Sequence, residues 1–145
     1  MEINADFRFE FIPKENMDII LPLVNILNNF EVPMETLRSR LKEMLLTGYQ
    51  CLGVYDGDKL IGICGVWILN KLYVGKHMEL DNVFVLPQYR SQGVGRLMLD
   101  RILDHAVHIG CETSEINCYI KNEKGVQFWE DQGYKAIGYH MQKVL

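Results

Sequence analysis

Nothing in this 145-residue chain approaches the roughly 18 consecutive apolar residues that a membrane-crossing helix requires, and its amino terminus has no apolar leader core. The expectation is a cytoplasmic protein with no membrane partner. Basic clusters are missing as well: the fifteen lysines and arginines are scattered and the net charge is −4. A nucleic-acid partner therefore has no electrostatic footprint here, and a mildly acidic surface leans instead toward a cationic one. Cysteine is sparse. Cys51, Cys64, Cys111 and Cys118 lie 13, 47 and 7 residues apart, form no Cys-x-x-Cys pair and have no histidine at ligand spacing. They read as reduced thiols packed as small hydrophobes, and no metal is expected.

What the chain does contain is concentrated between Leu80 and Ile109. A strand-like run ends at Pro87, a short turn carries Arg90-Ser91-Gln92-Gly93-Val94-Gly95, and an amphipathic helix follows. Strand, glycine turn and helix together aim backbone N–H groups and the positive end of a helix dipole at an anion. Two phosphate motifs fail on particular residues. A dinucleotide fingerprint needs a small residue three places after Gly95, where Met98 stands; a Walker loop needs Lys and then Ser or Thr, where Arg96 and Leu97 stand.

The rest of the chain supplies a scaffold. Phe7, Phe9 and Phe11 alternate with charged residues, predicting a first strand over about residues 6–12. Apolar spacing predicts a helix from Asn16 to Phe30, with Pro22 tolerated only near its first turn, and a second helix starting at Pro33 and closed by Gly48. Tyr49–Tyr55 and Leu60–Leu69 form a predicted hairpin about Asp56-Gly57-Asp58-Lys59, and His77–Val85 extends it into a meander. The helix after the glycines is followed by a strand over Ser114–Ile120 and a short helix capped by Asn122. One or two strands are expected over Tyr134–Leu145.

Val83-Phe84-Val85-Leu86-Pro87 followed by Arg90 through Gly95 resembles the pyrophosphate-binding motif of the GNAT superfamily of acetyl-CoA-dependent N-acetyltransferases. The predicted order of elements is similar to that family's over nearly the whole chain. The resemblance implies one domain over residues 1–145, with an α/β fold built on a mixed, mostly antiparallel sheet of six to seven strands and about four helices. It implies acetyl-CoA as co-substrate, with its pantetheine arm in a gap between the fourth and fifth strands. Family members often pair, so a homodimer is compatible with the resemblance.

Three needs of acetyl transfer can be matched to residues. In the motif that opens at Arg90 and Ser91, the backbone N–H groups of Gln92, Gly93, Val94, Gly95 and Arg96 would converge on the diphosphate, with Arg90 and Arg96 adding side-chain charge. The resemblance implies that the pantetheine arm bonds to the backbone of Val83, Phe84 and Val85, and that the backbone N–H of Val83 or a neighbour polarises the carbonyl. Deprotonation needs a base, because an alkyl amine with a pKa of roughly 10 is almost entirely ammonium at neutral pH. Glu79 is the first candidate and Asp81 the second, and a strict period of two would put both on the face of Val83 and Val85. The last family landmark covers Asn122, Phe128 and Trp129. Trp129 occupies the place where many members have a tyrosine that protonates the departing thiolate, and an indole N–H cannot usefully deliver a proton. The thiolate leaves held by Trp129, Tyr119 or Tyr134 substitutes, or turnover is slow.

The expected function is acetyl transfer from acetyl-CoA to a small-molecule amine by direct attack. The alternatives are a protein lysine or amino-terminal acetyltransferase and a non-catalytic acyl-CoA-binding module.

Overall fold

The computed structural model describes residues 6–145. Five strands form one sheet in the order β1-β2-β3-β4-β5: β1 (Phe7–Phe11), β2 (Gln50–Asp56), β3 (Lys59–Lys71), β4 (Gly75–Val85) and β5 (Thr113–Ile116). The first four pair antiparallel. β5 pairs parallel to β4, from His77 opposite Thr113 to Leu80 opposite Ile116.

Helices cover both faces. A 3-10 segment (Lys14–Ile20) leads into α1 (Leu21–Leu27), and α2 (Met34–Leu46) follows; α3 (Val94–His108) lies on the opposite face, and α4 (Glu123–Asp131) closes the series. The single helix expected from Asn16 to Phe30 is therefore divided, and Pro22 is the reason. Lacking an N–H, it cannot bond back to Asp18, and the turn before it is held instead by Leu21 N–H on the Asp18 carbonyl. Pro22 then sits at the start of α1, where its missing donor costs nothing.

The two faces build two cores. On one, Met17, Ile20, Leu21, Val24, Leu37 and Leu41 pack on Tyr49, Cys51, Ile63 and Phe84. On the other, the α3 residues Val94, Met98, Leu99, Ile102 and Ala106 pack on Leu52, Val54, Cys64, Val66, Met78 and Leu80. Each fully buried aliphatic or aromatic side chain contributes about 1.5–3 kcal/mol of transfer free energy, so both layers are needed to hold the sheet.

Among the described residues the strand count is five rather than six or seven. β5 stops at Ile116 instead of Ile120, and the segment from Tyr134 to Leu145, expected to carry one or two strands, forms none. Period-two patterning marks a sequence able to be a strand but does not supply a neighbour for it, and here no ladder forms among the described residues.

Candidate acyl-transfer site

β4 carries an extra residue. Asp81 faces Gly65 and Phe84 faces Ile63, so three steps along β4 match two along β3, and Asn82 takes up the difference in the left-handed conformation (φ 56). This bulge reverses the alternation of every side chain after it. Phe84 consequently packs in the α1/α2 core, while Val83 and Val85 pack against the α3 core. The expected sharing of one face by Glu79, Asp81, Val83 and Val85 is thus corrected: Phe84 stands with the carboxylates, and the two valines stand opposite.

Gly65 makes the bulge feasible. A Cβ there would fall 2.2 Å from the Tyr49 hydroxyl oxygen and 2.3 Å from the Asp81 carbonyl oxygen. Around this close approach the side chains are tied together. The Trp67 indole N–H donates to Asp81 Oδ2 at 3.1 Å, and the Asn82 amide donates to Tyr49 Oη at 3.2 Å. The Tyr49 and Trp67 rings pack 5.2 Å apart. Burial pushes the Tyr49 hydroxyl well above its usual range, so it stays protonated.

Glu79 lies one pleat away from Asp81 and opposite Trp67 on one side and Glu115 on the other. Its Oε1 accepts from Asn117 Nδ2 at 3.3 Å, and Glu115 Oε1 accepts from the Tyr73 hydroxyl at 2.6 Å. Glu79 and Asp81, both half-buried, therefore come together on one face with Glu115, Trp67 and Asn117. None of Trp67, Tyr49, Asn82, Glu115 and Asn117 belongs to a motif in the sequence. Their roles depend on pairing register, which only the bulge fixes.

The pairing of β4 with β5 ends at Leu80 and Ile116, where β5 itself stops. β4 from Asp81 to Val85 has no strand beside it on that edge among the described residues. The chain then passes through a short 3-10 turn (Pro87–Tyr89) into the glycine turn. Ser91 (φ 60) and Gly93 (φ 80) both adopt left-handed backbone, a conformation that gathers successive N–H groups into a concave cradle. Gly93 caps α3 without any side-chain hydrogen bond, and the first carbonyl to accept within the helix is that of Gly93, from Leu97 N–H. The N–H groups of Val94, Gly95 and Arg96 are left without helical acceptors at the positive end of the dipole. These donors suit a diphosphate, so the acetyl-CoA expected from the motif fits the residues present.

Side chains in the turn are less free than their backbone. Arg90 Nε donates to the Val85 carbonyl at 2.9 Å with its guanidinium over the Phe84 ring, and Gln92 Nε2 donates to the Gln88 carbonyl at 3.1 Å. Arg96 is exposed. On α4, Asn122 acts as the helix cap, accepting from Gly125 N–H at 3.0 Å. Phe128 approaches α3 at Gly95, where a Cβ would lie 3.7 Å from its ring, an ordinary contact. Trp129 packs edge-on against Phe128 and Tyr134, and the Tyr134 hydroxyl shares a 2.7 Å hydrogen bond with Ser114. Of the two tyrosines named as substitutes, Tyr119 is exposed and Tyr134 is half-buried; burial raises the Tyr134 pKa, keeping the proton on its oxygen.

Comparison with known proteins agrees with this geometry. The family described as Acetyltransferase (GNAT) matches residues 18–134. Thialysine N-epsilon-acetyltransferase from Mus musculus is 25% identical over 85 residues, covering 59% of this chain and 50% of that protein. An uncharacterized N-acetyltransferase of Bacillus subtilis, YhdJ, is 22% identical over 115 residues, covering 78% and 81%. The chain spans about half the length of the thialysine acetyltransferases it matches. Among solved structures, glucosamine-6-phosphate N-acetyltransferase from Arabidopsis thaliana superposes with a TM-score of 0.70 at 20% identity, covering 95% of this chain and 97% of that one. An aminoglycoside acetyltransferase from an uncultured soil metagenomic sample, in complex with sisomicin, gives 0.81 at 14% identity over 99% of both chains. With that family's sequence pattern covering most of its length, and the open helix amides in place, this chain belongs to the GNAT acetyltransferase family.

Proposed function

We propose that the protein transfers the acetyl group of acetyl-CoA to a small-molecule amine by direct attack, with Glu79 as the base and Asp81 as the second carboxylate of the site. The single observation carrying this reading is the edge of β4 from Asp81 to Val85, unpaired among the described residues, which leads through the glycine turn to the open amides at the start of α3. Acetyl-CoA supplies an acetyl thioester at the carbonyl oxidation level, needing no redox chemistry. The chain's own contribution is to bind, polarise and take a proton.

The amides from Ser91 to Arg96 hold the anionic end. Backbone N–H at Val83 or a neighbour is the oxyanion donor, a role that a preorganised amide fills without a side chain. Glu79 removes a proton from the attacking ammonium. Asp81, fixed by the Trp67 indole, adds negative charge that draws a cationic amine to the same face. No tyrosine is required at Trp129: a thiol with a pKa of about 8.5 departs as thiolate without full protonation. The relatives named thialysine N-epsilon-acetyltransferase support an acceptor with a primary alkyl amine beside a second charged group.

Thiol release from acetyl-CoA is measured against a panel of diamines, amino acids and aminoglycosides. Turnover on at least one amine is expected, with Glu79→Gln lowering kcat near neutral pH and partly recovering toward pH 10 as the free amine becomes abundant. Tight binding of acetyl-CoA with no turnover on any amine would instead make the chain an acyl-CoA-binding module. A flat, unchanged pH profile in Glu79→Gln would remove that residue as base.

A further inference from the structure

We infer that Glu115 on β5 is a specificity-determining residue that holds a second ammonium group of the acceptor, so that the acceptor is a diamine rather than an amine with a neutral or anionic tail; this rests on the acyl-transfer function proposed for the site. The way three carboxylates are held on one face of the sheet carries the inference. Glu115 stands directly opposite Glu79, and Asp81 follows Glu79 by two residues on the same face. Each has one oxygen fixed by a neutral donor: Asp81 Oδ2 by the Trp67 indole at 3.1 Å, Glu79 Oε1 by the Asn117 amide at 3.3 Å, and Glu115 Oε1 by the Tyr73 hydroxyl at 2.6 Å. The other oxygen of each accepts no hydrogen bond among the described residues, and no lysine or arginine there forms an ion pair with any of the three. These donors orient the carboxylates without neutralising them.

A buried histidine points to the same chemistry. His77, two residues before Glu79 on that face, is 0% exposed, and neither of its ring nitrogens has a hydrogen-bond partner. Its Nε2 lies 4.0 Å from Glu115 Oε1, beyond bonding reach. Buried polar atoms in folded proteins are nearly always bonded, so an imidazole held bare beside a carboxylate marks a place where bonding is completed by a group the chain does not supply. Carboxylate oxygens only accept, and a neutral imidazole has one accepting nitrogen. Their shared complement is a group with several donors and no acceptor, which an alkyl ammonium is and a carboxylate or phosphate is not. A metal would need three or more ligands gathered about one point, and no such group occurs among the described residues. Spacing separates the roles. Neighbouring strands lie about 4.8 Å apart and two residues span roughly 6.6 Å along a strand, which puts Asp81 roughly 8 Å from Glu115 on the diagonal. An amine reacting beside Asp81 and Glu79 therefore leaves the charge of Glu115 unmatched. A second ammonium there also relieves the repulsion between Glu115 and Glu79, like charges facing each other across a ladder.

Two matched sets of acceptors test this on the full chain. Putrescine, pentylamine and δ-aminovalerate share one amine and carry an ammonium, a methyl or a carboxylate tail; cadaverine, hexylamine and ε-aminocaproate repeat the series one methylene longer. In at least one set the wild-type kcat/KM should be at least tenfold higher for the diamine than for either partner, a difference that shrinks with added salt. Glu115→Gln keeps an oxygen for the Tyr73 hydroxyl and removes only charge, so the diamine preference should drop at least fivefold, carried by KM. Glu112→Gln removes an equal charge from an exposed side chain lying against Gly75 and should leave the preference within twofold of wild type. Calorimetric affinities for the same amines in the presence of coenzyme A read the preference without turnover. Diamine-selective binding that Glu115→Gln abolishes, with no acetylation of any amine, would uphold this inference and overturn the acyl-transfer function. Acetylation with no preference among the three tails, or a preference that Glu115→Gln leaves intact or Glu112→Gln reduces equally, would overturn this inference and leave that function standing. No tail preference in binding and no acetylation would overturn both.

Discussion

Gly65 is the residue on which the site's geometry turns. Any side chain there meets the Tyr49 hydroxyl and the Asp81 carbonyl, a backbone atom that cannot swing away. Gly65→Ala is expected to lower stability by about 1–3 kcal/mol through overpacking, read as a shift in the urea midpoint. It should also weaken the Trp67–Asp81 hydrogen bond, visible as altered tryptophan fluorescence. A midpoint within error of wild type would mean that the bulge relaxes freely. The residue identities of the site were half legible in sequence. Glu79 and Asp81 stand out as carboxylates on a predicted strand, yet which neighbours they have follows from where one extra residue enters β4. Asn82 betrays that only through its tolerance of left-handed backbone. Trp67 illustrates the limit: an aromatic in a strand looks like core until its N–H is found on a carboxylate.

At the level of elements, the start of α3 makes the sharpest forecast. Gly93→Asp puts a carboxylate at the mouth of the amide cradle, whereas Gly93→Asn puts there a neutral side chain of nearly equal size and equal tolerance for the positive φ. Like-charge repulsion over a few ångströms is worth between about 1 and 4 kcal/mol depending on screening. Calorimetric affinity for acetyl-CoA should therefore fall at least fivefold further in Gly93→Asp than in Gly93→Asn. Equal losses in the two would relocate the anion site. This element was legible in sequence because the information is local: a proline, two glycines and a helix pattern within one stretch. The terminal strands were not, because a pattern of alternation at Ile137, Tyr139 and Met141 says nothing about what lies alongside. The helix broken at Pro22 fell between these cases, its cause visible in sequence and its consequence dependent on where the helix began.

Over the whole molecule, the sheet divides the interior into two compartments, and a cysteine reports on each. Cys51 lies in the α1/α2 core and Cys64 in the α3 core, both buried. Burial pushes the Cys51 thiol up to about 12 and the Cys64 thiol higher still, so neither ionises near pH 8. Cys111 and Cys118 are partly exposed. A thiol reagent at pH 8 should modify two groups quickly in the native protein and all four after denaturation; rapid modification of three or four would show that one compartment opens readily.

The additional residue in β4 can be removed without turning the strand over. With Asn82 deleted, Asp81, Val83 and Phe84 would stand opposite Gly65, Cys64 and Ile63 in an unbroken ladder, leaving Phe84 in the α1/α2 core and both valines against the α3 core. A chain shortened at this one position should thus keep both compartments lined as they are, and give up only the left-handed kink and the hydrogen bond from Asn82 to the Tyr49 hydroxyl.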